Sequence, residues 1–260
     1  MKEKVTKKNQ SVAKMFEIIE AMAGSKGPMR LQDISIEVNY PASTVLRMLS
    51  SLMENGYVTQ NPETSKYSLS LKFCKIGEAV KSQFSIREVV RPFLEELSER
   101  CHESACLAIE HDMTVVYLDV VEGQDKMLRT LQRIGKNAPL HSTGIGKLLL
   151  LNYDSAALDN FIRVKGLQQL TCNTLTTKEA LLDELDKVRN LGYAFDNEEC
   201  ELGAKCIAAP IRDYSGKVIS GISVSGPISR MNSENSKNII QNLLEISDSI
   251  SDKLGYKKVE

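Results

Sequence analysis

The segment between residues 12 and 69 constrains the fold most. Its apolar residues first recur at helical spacing, and after Gly56 the pattern changes to that of a β-hairpin. Apolar residues recur at helical spacing in three stretches, at residues 12–22, 31–38 and 45–53. The turn at Asn39-Tyr40-Pro41 separates the second stretch from the third, because proline disfavours helical backbone in the residue before it. Gly56 ends the third helix, and two short β-rich runs then flank the turn residues 61–65. Three helices followed by a hairpin are the element order of a winged helix-turn-helix.

The third predicted helix, residues 42–55, has one apolar face and one face of small polar and cationic side chains. The polar positions on that face and in the following hairpin are Ser43, Thr44, Arg47, Ser50, Ser65 and Lys66. Hydroxyls and free amides at a helix start suit phosphates, and a guanidinium one turn further on can reach a guanine edge. The pattern therefore predicts double-stranded DNA as a partner. An ordinary helical subdomain, in which Ser and Thr only cap helices, is the alternative.

Charge divides unevenly along the chain, although the formal net charge is only -1. The first 70 residues hold nine Lys and Arg against seven Asp and Glu, and the remainder is net acidic. This balance excludes a highly basic coat protein and places any polyanionic partner at the N-terminal end. The six cysteines form no CxxC pair, no signal peptide precedes them, and no apolar run approaches the ~20 residues of a membrane span. We therefore expect reduced thiols, a cytoplasmic location and no membrane partner.

Residues 71–83 predict a linker helix between two domains, which we expect at residues 1–70 and 84–260. In the second domain, β-rich runs at 106–109 and 114–121 flank the turn His111-Asp112, and runs at 206–211 and 217–224 flank residues 213–216. Residues 127–133 are a further strand candidate, and Thr176 with Glu179 predicts a capping box that begins a helix. Hairpins separated by helices predict an α+β domain built on an antiparallel sheet.

The sequence approaches two common enzyme motifs but matches neither of them in full. Gly146-Lys147 is followed by leucine where a phosphate-binding loop needs serine or threonine. The run 221–226 approaches a nucleophile elbow, but Ser225 stands where the motif needs glycine. The cysteines and His141 could in principle form a metal site or a nucleophile pair, yet their spacing favours neither, and we expect buried, inert thiols. We predict no enzyme activity, no cofactor and no metal.

A pocket for a small molecule is the remaining interpretation of the second domain. Ser, Thr and Gly at the predicted helix start 142–146 expose backbone amides, which attract anions. Ser223 and Ser225 lie two apart on a predicted strand, so both hydroxyls point to one face. Buried hydroxyls need partners, and a polar ligand is one candidate. The backbone of a covering helix is the other.

Segments from both domains resemble the IclR family of bacterial transcription regulators. Residues 41–58 resemble its recognition helix and first wing strand, and residues 66–72 resemble its second wing strand. Four further segments match its effector-binding domain in order and spacing: His-Ser-Thr-Gly-x-Gly-Lys at 141–147, Asp-x-Glu-Glu at 196–199, Cys-Ile-Ala-x-Pro at 206–210 and Ser-x-Ser-Gly-Pro at 223–227. The resemblance implies a transcription regulator, and a repressor is expected. Its affinity for DNA is expected to change when a small organic acid binds the second domain.

The resemblance also implies the residues of the effector site. Their expected roles are an apolar wall from Met127 and Ala138, amides at the helix start from Gly144 and Ile145, and a polar floor from Asp196, Cys206, Ser223 and Ser225. Ile145 is bulkier than the family's usual residue, which narrows the expected pocket. Cys200 receives no role.

We expect a homodimer or homotetramer on a pseudo-palindromic operator, because two-fold protein symmetry matches two-fold DNA symmetry. Two other classes stay open at this point. One is a cytosolic enzyme that uses Cys206 or Ser223 on a small carboxylate and dimerises through its N-terminal domain. The other is an architectural DNA-binding protein without a ligand.

Overall fold

The computed structural model describes residues 10–83, 85–123 and 134–258. The chain divides into two compact units between Phe84 and Ser85. No helix among the described residues is long and apolar enough to cross a membrane.

The N-terminal unit contains the three helices and the hairpin that the sequence predicts. Its elements are α1 (Gln10–Gly24), α2 (Leu31–Glu37), α3 (Ala42–Glu54), β1 (Val58–Gln60), β2 (Tyr67–Leu69) and α4 (Lys72–Gln83). Ile18, Ile34, Val45 and Leu49, one or two from each of the first three helices, are fully buried and form the centre of the core. β1 and β2 pair antiparallel, and Met29 bridges to Tyr67 beside them. The predicted linker helix corresponds to α4, which belongs to this unit.

The C-terminal unit is built on one antiparallel sheet with the strand order β5-β4-β3-β8-β7-β6. Its elements are α5 (Ile86–Cys101), β3 (Ser104–His111), β4 (Thr114–Val121), β5 (Asn137–Pro139), α6 (Gly144–Leu150), α7 (Ser155–Lys165), α8 (Lys178–Leu191), β6 (Ala194–Asn197), β7 (Ala204–Arg212), β8 (Val218–Pro227) and α9 (Ser233–Lys253). Hairpins and helices in this order confirm the α+β class.

The two faces of the sheet carry two separate apolar clusters, because side chains alternate along each strand. Leu107, Ile207 and Ile222 pack with α5 and α9 on one face. Cys106, Ala108 and Ala208 pack with α6, α7 and α8 on the other. The predicted effector segments contribute to this second face, where α6 lies against the sheet.

Two details differ from the sequence predictions. The helix α8 begins at Lys178 with Thr177 as its N-cap, since the Thr177 hydroxyl accepts a hydrogen bond from the amide of Ala180. The predicted capping box of Thr176 with Glu179 is therefore wrong, and the cap lies one residue further on. The short edge strands β5 and β6 were not predicted. The strand predicted at residues 127–133 lies outside the described residues and stays a prediction.

Candidate functional site

The outer face of α3 carries exposed polar side chains. Its inner face buries Val45, Met48, Leu49 and Leu52 against the core. Ser43, Arg47 and Ser50, spaced four and three apart, share the opposite face. Ser43 and Arg47 are exposed, whereas Thr44 and Ser50 are half-buried. The N-cap of α3 is Pro41, which has no side-chain acceptor, so the first amides of the helix stay available to a phosphate oxygen.

The hairpin presents its turn residues through local hydrogen bonds. The Asn61 side-chain oxygen accepts from the amides of Glu63 and Thr64, each at 2.9 Å. Ser65 then adopts a left-handed conformation with φ 57°, which closes the turn before β2. Ser65 is exposed and Lys66 is half-buried. The structure thus places all six residues predicted to bind DNA on the surface of α3 and of the hairpin.

A cavity of about 130 Å³ opens in the C-terminal unit between β5, the start of α6 and the strands β6, β7 and β8. Of the eight predicted effector residues, it brings together Ala138, Asp196, Cys206 and Ser225. Gly144, Ile145 and Ser223 are buried next to this region but do not line the cavity. Met127 lies outside the described residues.

Strand register assembles the floor of this cavity. Asp196 on β6 lies opposite Cys206 on β7, and Cys206 lies opposite Ser225 on β8. Residues opposite each other on adjacent antiparallel strands point to the same face, so the three polar groups form one row across the sheet. Each of the three is no more than 9% exposed.

Ser223 occupies the neighbouring row on the same face of the sheet. Its hydroxyl lies 2.9 Å from the Cys106 sulfur on β3, where both residues are buried. Gly144 also lies beside the floor, where an added Cβ would lie 3.1 Å from the Ala208 Cβ. Both residues border the floor without lining the cavity.

Burial changes the acid–base behaviour of the floor. It raises the pKa of the Asp196 carboxyl to about 6, although the amides of Glu199 and Cys200 donate hydrogen bonds to it at 2.8 and 3.2 Å. Burial, reinforced by the negative charge of Asp196, also raises the pKa of the Cys206 thiol to about 12. Cys206 therefore stays a neutral thiol, which is a poor nucleophile.

The histidine considered as a partner for a cysteine lies elsewhere. His141 does not line this cavity, and its Nε2 lies 3.0 Å from the Gln168 carbonyl oxygen. No group of three or more His, Cys, Asp or Glu residues within 10–83, 85–123 and 134–258 is arranged to hold a metal ion.

Sequence reasoning missed several residues that line the cavity: Tyr117, Lys136, Thr143, Cys200, Glu201 and Lys205. Thr143 lies inside the segment 141–147 and could have been found there. Its hydroxyl accepts from the Gly146 amide and donates to the Pro139 carbonyl oxygen, which ties α6 to β5. Tyr117 carried no sequence signal, because it reaches this face next to a register shift between Leu107 and Ala108.

Lys147 is a buried support for the cavity wall that the sequence did not reveal. Its Nζ lies 2.6 Å from Glu199 Oε1 and 2.8 Å from the Phe195 carbonyl oxygen, and the side chain has no solvent exposure. The Thr174 hydroxyl donates to the Glu199 carbonyl oxygen at 2.6 Å. These bonds hold the turn whose amides bind the Asp196 carboxylate.

A winged helix-turn-helix with a free polar helix face, in one chain with an α/β domain that holds a polar cavity, defines a helix-turn-helix transcriptional regulator. Comparison with known proteins gives the family. The model of the bacterial transcriptional regulator IclR C-terminal domain matches residues 78–252, and that of the IclR helix-turn-helix domain matches residues 11–62. The chain belongs to the IclR family of bacterial transcriptional regulators.

Individual relatives agree with this assignment. The chain is 35% identical to the transcriptional regulator KdgR of Dickeya chrysanthemi over 95% of its own length and 80% of the relative. It is 31% identical to the transcriptional repressor AllR of Escherichia coli, over 95% and 91%. The crystal structure of IclR from Thermotoga maritima matches with a TM-score of 0.63 at 30% identity, covering 95% of this chain and 99% of that one. These relatives confirm the regulator prediction and do not favour the enzyme alternative.

Proposed function

We propose that this regulator is a repressor whose affinity for its operator changes when a small organic acid occupies the cavity floored by Asp196, Cys206 and Ser225. The single observation that carries the proposal is that row of three buried polar groups facing an open space. The amides of Glu199 and Cys200 engage Oδ1 of Asp196, and the carboxyl has a second oxygen to offer, so such a row favours a polar ligand.

The size and charge of the cavity support a small anion. About 130 Å³ corresponds to roughly four water volumes, which suits a molecule of few heavy atoms. The lining contains two lysines, Lys136 and Lys205, against Asp196 and Glu201. Because Asp196 has a raised pKa, it loses its charge more readily than a free carboxyl, which lowers its repulsion of a bound carboxylate.

The DNA partner follows from the helix face described above. Ser43, Thr44, Arg47 and Ser50 would enter the major groove of a pseudo-palindromic operator, with Ser65 and Lys66 on the flanking backbone. A homodimer or homotetramer would supply paired recognition helices. A cytoplasmic location follows from contact with bacterial DNA. In this proposal the chain couples binding of the organic acid to binding of the operator. A coupling free energy of about 1–3 kcal/mol would change operator affinity by roughly 5- to 150-fold.

The test measures thermal unfolding of the full chain against short-chain monocarboxylates, hydroxy acids and dicarboxylates. A ligand at about 100 times its dissociation constant should stabilise the folded state by roughly 2.7 kcal/mol. We expect Ser225→Ala and Asp196→Ala to remove this stabilisation, because each takes a polar group from the floor. The matched control is Ser220→Ala, since Ser220 is also buried on β8 but does not line the cavity.

A carboxylate that stabilises the chain is then added to the chain bound to an operator, which is selected from random DNA duplexes. A change in operator affinity that Ser225→Ala abolishes would support the proposal. Stabilisation that survives both cavity variants would overturn the site. A flat response across the panel, with intact DNA binding, would favour the ligand-free architectural alternative, and turnover lost in Cys206→Ser would favour the enzyme.

A further inference from the structure

One large apolar side chain is exposed on α3, outside the apolar core of the N-terminal unit. Leu46 is 43% exposed, whereas the buried residues of the same helix are at most 5% exposed: Val45, Met48, Leu49 and Leu52. Leu46 does not pack against the apolar cluster that those four residues help to form. A single exposed leucine is common on protein surfaces, so its place on the helix decides what it can do.

Leu46 lies among the side chains proposed to contact DNA. It follows Ser43 by three residues and precedes Ser50 by four, and side chains at these spacings are neighbours on one side of a helix. Arg47 is exposed next to it on the same outer surface. Leu46 is also in the N-terminal half of α3, which is the half whose side chains contact base edges in helix-turn-helix proteins.

Docking of α3 in the major groove would remove water from the Leu46 side chain. Base edges in that groove present hydrogen-bond donors and acceptors, and their apolar group is the C5 methyl of thymine. Leucine has no hydrogen-bonding atom in its side chain. Against a cytosine amino group or a purine N7 it would therefore leave a polar group without a partner, which costs free energy. Against thymine, the two apolar groups would bury each other's surface.

We propose that Leu46 is a specificity-determining residue, which contacts the C5 methyl group of one thymine in each half of the operator. This inference rests on the docking of α3 proposed above. Ser43, Arg47 and Ser50 would contact phosphates and polar base edges, and Leu46 supplies the apolar contact of the same surface. Operators selected by the wild-type chain should therefore carry thymine at one fixed position of each half-site, and Leu46→Ala should accept other bases there.

The test removes only the methyl group from the DNA. Each thymine of one half of the selected operator is replaced in turn by deoxyuridine, which keeps every hydrogen-bonding atom of the base, and affinity for the full chain is measured by fluorescence anisotropy. We expect one position at which wild type loses affinity about fourfold, the value of one buried methyl group. For Leu46→Ala the two duplexes should bind equally at that position, because the alanine side chain is three carbons shorter. Leu46→Met, which stays apolar and long, should retain the loss.

Two further variants control the test. Ile36→Ala should behave like wild type at every position, because Ile36 is 77% exposed but lies on α2. Arg47→Ala should weaken binding to both duplexes and keep their ratio. If Arg47→Ala weakens binding but Leu46→Ala leaves the ratio at every position as in wild type, the methyl contact is overturned and the proposed function stands. If Arg47→Ala binds the operator as wild type does, α3 is not in the interface, and both proposals for this helix are overturned.

Discussion

Lys147→Met should destabilise the C-terminal unit by about 3–5 kcal/mol, because it leaves a buried carboxylate without its cation. The Lys147 side chain has no solvent exposure, and that of Glu199, 2.6 Å from its ammonium, is 8% exposed. Methionine keeps most of the length of the side chain and removes only the charge and its hydrogen bonds. The loss therefore reports Glu199 and the Phe195 carbonyl oxygen, which lose the ammonium, rather than a cavity.

Removing both partners should recover most of that loss. A buried ion pair replaced by apolar groups of similar volume is often neutral or even stabilising, because the cost of burying the charges disappears with them. We expect Lys147→Met combined with Glu199→Met to unfold closer to wild type than Lys147→Met alone. The matched surface control is Lys187→Met, whose ammonium lies 3.3 Å from Glu184 and is 67% exposed, and which should cost less than about 1 kcal/mol.

The destabilisation caused by Lys147→Met should also depend on pH. Burial raises the pKa of Glu199, and Lys147 opposes that shift. Without Lys147 the folded chain keeps Glu199 protonated to higher pH than the unfolded chain does. A carboxyl whose pKa is raised on folding stabilises the fold at low pH and loses that contribution as pH rises. The variant should therefore be closest to wild type near about pH 4 and furthest from it near about pH 7.

Native-state hydrogen exchange of β8 amides is the appropriate assay, because it reports the opening free energy of this unit alone. Urea unfolding followed by circular dichroism gives the second measurement, since the chain has no tryptophan. A loss for Lys147→Met no greater than that for Lys187→Met would refute the reasoning. Failure of the double variant to recover stability would refute it equally.

Three further predictions concern single positions. Gly146→Ala should lower the free energy of unfolding by about 1–3 kcal/mol in thermal unfolding, because the added Cβ would overlap the Leu140 carbonyl oxygen. Gly77→Ala should raise it by about 0.5–1 kcal/mol, because Gly77 lies in open space on α4. The affinity for carboxylates, measured by calorimetry, should rise from about pH 7 to about pH 5 as Asp196 is neutralised. Asp196→Asn should make this affinity depend less on pH. Arg47→Ala should weaken operator binding by about 1–3 kcal/mol in anisotropy titrations, and an unchanged affinity would remove α3 from the interface.

The order of the helices and of the long strands was predictable from the sequence by itself, whereas the two short edge strands, β5 and β6, were not predicted. Helical spacing, a proline-containing turn and Gly56 delimit α3, because these signals act between residues close in the chain. The turn predicted at His111-Asp112 is equally local, although the structure places it one residue further on, at Asp112 and Met113, which adopt the left-handed conformation of a tight hairpin turn. Of the six positions predicted to bind DNA, the four on α3 follow from the same periodicity.

The effector floor was predictable only in part. Alternation along β8 correctly placed Ser223 and Ser225 on one face of the sheet. Only the pairing of β8 with β7 and β3 shows that Ser225 faces the cavity beside Cys206, while Ser223 meets Cys106. Register between distant strands depends on tertiary packing, and a local pattern does not contain it.

The buried polar pairs were decided by the tertiary structure alone. No sequence pattern predicted that Lys147 is buried, yet the side chain has no solvent exposure and finds Glu199 from 52 residues away. His141 likewise finds its partner far along the chain, since its Nε2 lies 3.0 Å from the carbonyl oxygen of Gln168, 27 residues further on. The sequence determined which elements form; the long-range contacts among them decided which side chains are withdrawn from water and which partners they find.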